Sequence, residues 1–196
     1  MDDKIISIIR EAERKSAKDE IPAIPHETGE LLRLLTMLLS SIRGKITALE
    51  VGTAYGYSTL WILRGILEGS KKGIIYTIEK RKSRMEIANN FFEKSGYKDM
   101  IVTYCGDAKK IIDKLEVNFD FVFLDGTKSE YGYLAKKLYP KITEGGVLTA
   151  HNVVKYWPID DFLAEINDRS RWNTIVIYID PEGLSISYKL GKNGEK

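Results

Sequence analysis

The sequence predicts an α/β protein built on one open, mostly parallel seven-stranded sheet, with helices on both faces and an antiparallel hairpin at its C-terminal end. Three observations carry this reading. From residue 46 onward, short apolar runs alternate with stretches of helical period, the pattern of parallel strands joined by right-handed crossovers. The last two strand-like runs are separated only by the turn sequence Asp180-Pro181-Glu182-Gly183, which predicts a hairpin. No repeat, low-complexity tract or linker interrupts the 196 residues. A single domain over 1–196 is therefore expected, with 1–44 as a helical cover and 45–190 as the core.

In chain order, residues 2–17 place Ile5, Ile6, Ile8, Ile9 and Ala12 mostly on one helical face. Pro22 and Pro25 break that helix and make a short extended connector. A second helix is expected over 27–42, carrying Leu31, Leu34, Leu35, Leu38 and Leu39, with Gly44 as its stop. These leucine-rich faces exceed what a lone surface helix needs, so they cover the active site or form a contact between copies. Strands follow at 46–51, 73–78, 101–104, 119–124 and 146–150, with helices at 58–67, 82–94, 108–115 and 129–138 between them. A helix over 159–167 precedes the hairpin strands 174–179 and 184–190, and residues 191–196 read as a frayed tail.

Composition narrows the class. Hydrophobic residues make up 43% and charged residues 30%, enough apolar material for a packed core. The formal net charge is only +2 and the charges are mixed along the chain, which argues against a large polyanionic partner. The single cysteine, Cys105, can form neither an internal disulfide nor a cysteine metal cluster, and a reducing cytosol is the default. With no signal peptide and no apolar run long enough to span a bilayer, the expectation is a cytoplasmic protein without membrane contact.

The chemistry concentrates at residues 50–58, Glu-Val-Gly-Thr-Ala-Tyr-Gly-Tyr-Ser. This segment ends one strand and opens the next helix, where open parallel sheets bind ligands. Gly52 and Gly56 let the backbone turn and approach a ligand, and Ser58 marks a helix start that favours a carboxylate or phosphate. The segment lacks the lysine of a phosphate-cradling P-loop and the glycine spacing of a dinucleotide fingerprint. Glu50 closing the strand suits a positively charged ligand such as a sulfonium amino acid. Glu79 ends the next strand, where an acid accepts both ribose hydroxyls; alone, it would read as a surface acid paired with Lys80 or Arg81. Gly106, Asp107 and Ala108 follow the third strand and suit an adenine contact, although Asp107 reads equally well as a helix N-cap. Tyr104 and Cys105 read as packing.

These residues resemble the small class I O-methyltransferases related to catechol and caffeoyl-CoA O-methyltransferases. The resemblance runs from 25–32 (PHETGELL) to 183–189 (GLSISYK), and its most specific part is 119–131 (FDFVFLDGTKSEY). It implies a Rossmann-like class I fold and S-adenosylmethionine as cofactor. The expected cofactor set is Glu50, Gly52, Thr53, Gly56, Ser58, Glu79, Lys80, Gly106, Asp107, Ala108 and Asp125. The resemblance further implies that Asp125 binds a divalent metal, that Lys128 is the base, and that a pair after the fifth strand supplies two more ligands. That pair reads His151-Asn152 here, with histidine in the place of an aspartate. Methyl transfer needs an oxygen nucleophile held in line with the sulfonium methyl, and a metal on Asp125 would lower the pKa of the acceptor hydroxyl.

An Asp125–His151–Asn152 site would suit Mn²⁺, Fe²⁺, Co²⁺ or Zn²⁺ better than Mg²⁺ or Ca²⁺. Alternatively His151 is itself a general base with no metal bound, or a buried histidine bonded to its loop. His26, after Ile24-Pro25, reads as structural or as part of the substrate rim. Tyr131, Tyr133, Tyr156 and Trp157 are candidate walls of an aromatic pocket. The leading expectation is methylation of a hydroxyl on a small, aromatic acceptor by a homodimer. A tRNA base hydroxyl is the alternative, with the basic residues 71–72 and 80–84 touching phosphates. A non-catalytic S-adenosylmethionine-binding protein is the second alternative.

Overall fold

A computed structural model describes residues 3–154 and 157–191. Two helices come first, α1 (Asp3–Lys18) and α2 (His26–Arg43). The alternating part then runs β1 (Ile46–Val51), α3 (Tyr57–Gly69), β2 (Gly73–Glu79), α4 (Lys82–Ser95), β3 (Ile101–Cys105), α5 (Ala108–Lys114), β4 (Phe119–Leu124), α6 (Tyr131–Leu138) and β5 (Ile142–His151). It closes with α7 (Asp160–Ile166), β6 (Trp172–Ile177) and β7 (Leu184–Lys189). The expected tail beyond residue 191, and Tyr156, lie outside the described residues.

One seven-stranded sheet takes the order β3-β2-β1-β4-β5-β7-β6. The pairings among β1 to β5 are parallel, and β7 runs antiparallel to both β5 and β6. The predicted fold class holds, and so does each predicted element, with shifts of a few residues at the ends. The largest shift is at β5, which starts at Ile142 rather than 146. Its register against β4 slips between Phe119 and Phe121, so the pairing continues through a bulge near Gly145 and Gly146 that reads in sequence as a strand start. The helix predicted from 129 begins at Tyr131, behind a 3-10 turn at Lys128–Glu130.

Two apolar layers fix the sheet. On one face Ile46, Ala48, Ile75, Phe121 and Phe123 pack with Leu60, Ile62 and Leu63 of α3 and with Ile5, Ile9 and Leu32 from the N-terminal helices. On the other, Leu49, Val122, Leu124 and Leu148 meet Ile112, Leu134, Leu138, Phe162 and Trp172. Adjacent strand residues thus go to opposite cores, which is why the strands read as continuous apolar runs. The strand order reverses between β1 and β4, placing a topological switch point at their carboxyl ends.

Candidate active site

The carboxyl ends of β1 to β5 open into one cavity of about 1050 Å³. Seven of the eleven expected cofactor residues line it: Gly52, Glu79, Lys80, Gly106, Asp107, Ala108 and Asp125. Gly52 sits at φ 107°, and a Cβ there would lie 2.4 Å from the Asp125 carbonyl oxygen. Glycine is therefore demanded twice, by conformation and by the close approach of two turns. The buried Glu79 carboxylate is oriented by two backbone amides, with Oε2 accepting from Ala54 (2.9 Å) and Oε1 from Arg81 (2.8 Å). Each oxygen keeps a second lone pair for a ligand. Asp107 takes the expected N-cap part, with Oδ1 accepting from the amides of Lys109 and Lys110, and the residue also lines the cavity.

The other four expected residues do not line the cavity. Glu50 is fully buried beneath the turn, where Ser58 Oγ donates to Oε1 (2.5 Å) while Thr59 and Thr77 Oγ1 donate to Oε2. Burial pushes its carboxyl pKa up, against the opposing effect of these hydroxyls. Ser58 is spent on Glu50, and Thr53 Oγ1 lies 2.5 Å from Thr77 Oγ1. Gly56, at φ 83°, is crowded by the Phe92 ring, 2.6 Å from a would-be Cβ. In this arrangement these four shape the turn from below.

On the acceptor side, Asp125, Lys128, His151, Asn152 and Trp157 line the same cavity. Lys128 Nζ donates to Asp125 Oδ1 at 2.8 Å. His151, nearly buried, has Nδ1 3.6 Å from that same Oδ1 and Nε2 3.0 Å from Asp180 Oδ2. Burial disfavours the charged ring, but Asp125 and then Asp180 outweigh it and raise the His151 pKa above its usual value. Asp180 is the residue that the sequence reading missed, having taken it only for a turn. Its Oδ1 accepts the amides of Glu182 and Gly183, both at 2.9 Å, and its Oδ2 accepts the Thr28 hydroxyl at 2.7 Å. Burial opposes its ionisation, yet the Thr28 hydroxyl and the His151 ring hold its pKa below the usual carboxylate value. The pairing of His151 with Leu184 was the available signal: once β7 lies antiparallel to β5, the preceding turn must sit beside His151.

In this structure the residues that the resemblance implied as ligands of a divalent ion are bonded to other protein groups. Asp125 Oδ1 is engaged by the Lys128 ammonium, the Asn152 amide donates to Glu182 Oε2 (3.2 Å), and Asp180 has its oxygens occupied. Among the described residues no group of three or more His, Cys, Asp or Glu side chains is placed to hold a metal. Several lesser expectations also change. Tyr131 is wholly buried, its hydroxyl 2.9 Å from the Leu124 carbonyl and 3.2 Å from that of His151, so it pins two strand ends instead of walling the pocket. Tyr133 is exposed and packs with Lys109 and Lys137. Cys105 is exposed rather than packed, while Tyr104 stacks on Tyr76. His26 is exposed and meets the Trp61 ring edge-on. The α1–α2 connector contributes Pro22, Ala23 and Pro25 to the cavity wall.

A sequence model described as O-methyltransferase matches residues 2–179. The chain belongs to the O-methyltransferase family. Among its relatives, caffeoyl-CoA O-methyltransferase of Populus kitakamiensis is 32% identical over 139 residues, covering 68% of this chain and 56% of that protein. Catechol O-methyltransferase of Mycobacterium tuberculosis is 28% identical over 152 residues, 76% of this chain and 64% of that one. The chain thus spans under two thirds of the length of these two curated relatives. Among solved structures, the O-methyltransferase from Bacillus cereus in complex with SAH superposes with a TM-score of 0.81 at 23% identity, covering 93% of this chain and 90% of that one. At that identity the likeness speaks for the O-methyltransferase fold alone. Among the described residues no helix is long and apolar enough to cross a membrane.

Proposed function

We propose that this O-methyltransferase family member transfers the methyl group of S-adenosylmethionine to a hydroxyl of a small aromatic acceptor. The observation that carries the reading is the single cavity in which the cofactor turns, around Gly52, Glu79 and Asp107, face the polar group Asp125–Lys128–His151. The cofactor supplies an electrophilic sulfonium methyl carbon, whose bond to sulfur breaks as the acceptor oxygen bonds to it. The protein's part is to bind, orient and exclude water. Glu79, fixed by two amides, suits the ribose hydroxyls, and the Asp125 carboxylate adds negative charge near a cationic ligand. Trp157 offers an aromatic rim for a ring-shaped acceptor. The names of the plant and mycobacterial relatives support a phenolic hydroxyl as acceptor.

A second reading, an acceptor bearing phosphates such as a tRNA, is favoured by Lys80, Arg81 and Arg84 on the wall of the same cavity. We also propose a homodimer. Supporting it, α2 turns Leu34, Leu38 and Ile42 to solvent, and Tyr188 of β7 is exposed beside Arg43 at the end of the helix, both flanking Gly145.

Two measurements test this reading. Calorimetric titration of S-adenosylmethionine should show one saturable site per chain, weakened about tenfold or more by Glu79→Ala; absence of binding to the wild type would end it. Transfer of labelled methyl to catechol, caffeoyl-CoA or unmodified tRNA then separates the acceptor classes.

A further inference from the structure

We infer that the acceptor half of this site works without a divalent ion: the Lys128 ammonium provides the fixed positive charge, and His151 Nδ1, oriented by Asp180, receives the acceptor's proton. The inference rests on the methyltransferase reading above and concerns only how the acceptor hydroxyl is handled.

Its first support is the state of Asp180. This carboxylate is fixed by three donors, the amides of Glu182 and Gly183 on one oxygen and the Thr28 hydroxyl on the other. A carboxylate held in this way accepts hydrogen bonds. The histidine nitrogen 3.0 Å from it, Nε2, therefore carries the ring hydrogen. In the neutral ring that leaves the lone pair on Nδ1. The second support is where Nδ1 looks. It faces Asp125 Oδ1 at 3.6 Å, beyond hydrogen-bond length, in a wall of the cavity. That spacing is too short to admit another oxygen between the two atoms, so an acceptor hydroxyl would reach Nδ1 from the open side of the cavity and donate to it there.

The third support is Lys128. Its Nζ sits 2.8 Å from Asp125 Oδ1 and 5.3 Å from the Tyr131 ring centroid, so the ammonium is anchored from two sides. An ion-paired ammonium has no lone pair to take a proton. It can instead stabilise the negative charge that grows on the acceptor oxygen, the service a metal would render. Asn152 is meanwhile turned to Glu182. The step balances without further reagents. The acceptor's O–H bond breaks, its proton joins Nδ1, and its electron pair stays on oxygen to form the new bond to the methyl carbon, while the methyl–sulfur bond breaks with its pair going to sulfur, leaving S-adenosylhomocysteine. The imidazolium so formed lies between the Asp125 and Asp180 carboxylates.

The test uses the full chain stripped with EDTA and saturated with S-adenosylhomocysteine. Calorimetric titration with Mn²⁺, then Mg²⁺, should show no saturable site. A site that Asp125→Asn abolishes would overturn the inference. His151→Asp should gain Mn²⁺ binding, because it returns a carboxylate to the cluster. The chain has two histidines, so ¹⁵N imidazole spectra resolve His151 from the exposed His26. The neutral His151 ring should carry its hydrogen on Nε2, and Asp180→Asn should shift that tautomer balance; a hydrogen on Nδ1 in the wild type refutes the assignment. With whichever phenol the wild type methylates, EDTA should leave the rate within about twofold, and His151→Gln should lower kcat on the order of 10²–10⁴-fold. Cofactor affinity should be unchanged in that variant. Loss of cofactor binding in the wild type would instead refute the methyltransferase reading.

Discussion

Beneath the cofactor turn, Glu50 has three hydroxyl partners and, among the described residues, no cation bonded to it, and at this scale the turn's stability is decided by hydrogen bonds to one buried carboxylate. Replacing Thr77 by valine keeps the shape but removes a donor to Glu50 and the contact to Thr53. A cost of about 1–3 kcal/mol is expected for the group left unsatisfied, read as a lower denaturation midpoint. His151 makes a pH prediction. Asp125 and Asp180 face its ring, with Lys128 behind Asp125, and they raise its pKa above 6.5. A histidine with a raised folded-state pKa contributes stability that is fully present below the unfolded value and is lost as pH rises through the folded one. Thermal scans should therefore show the wild type losing Tm as pH rises above about 6.5, and His151→Gln giving a flatter profile there. An equal slope in both proteins would remove the pair from the account.

Between elements, α2 packs tightly on α3. A Cβ at Gly65 would lie 2.0 Å from Thr36 Oγ1 and 2.3 Å from the Arg33 carbonyl oxygen, and one at Gly69 would lie 1.9 Å from Ser40 Oγ. The helices touch backbone to backbone, so Gly65→Ala must push them apart. A destabilisation of about 1–3 kcal/mol is expected, the usual range for overpacking, measurable by urea denaturation. The elements themselves were legible because their signals are local. Apolar runs such as 119–124 and 46–51 announce buried parallel strands, and the leucines of α2 announce a helix. The turns that line the cavity were legible for the same reason, each lying directly after a strand. What sequence did not reveal is which side chains turn into the cavity. Glu50 and Glu79 both close strands, yet one is buried under the turn and the other lines the cavity, a difference that only the packing of Ser58, Thr59 and Thr77 creates. Asp180 stayed hidden because its role depends on strand pairing, and an Asp-Pro-Glu-Gly turn already explains an aspartate at that position.

For the molecule as a whole, the outer face of α2 offers a test of the proposed homodimer. Ile42 is 81% exposed and Leu38 48%, so Leu38→Glu with Ile42→Glu should turn a dimer into a monomer in sedimentation while leaving the fold intact. Both side chains already face water in the single chain, so the change costs the monomer little. The contact between Thr28 and Asp180 has a consequence in time. It joins residues 152 positions apart, whereas the cofactor turns all lie within 52–108. As the chain emerges from the ribosome, the turns proposed to hold the cofactor are made well before the hairpin whose Asp180 bonds His151. N-terminal parts of a chain begin to fold first during synthesis. A nascent chain stalled before residue 180 would lack the carboxylate bonded to His151, so on the proposed mechanism the proton acceptor is set only once this hairpin has been made.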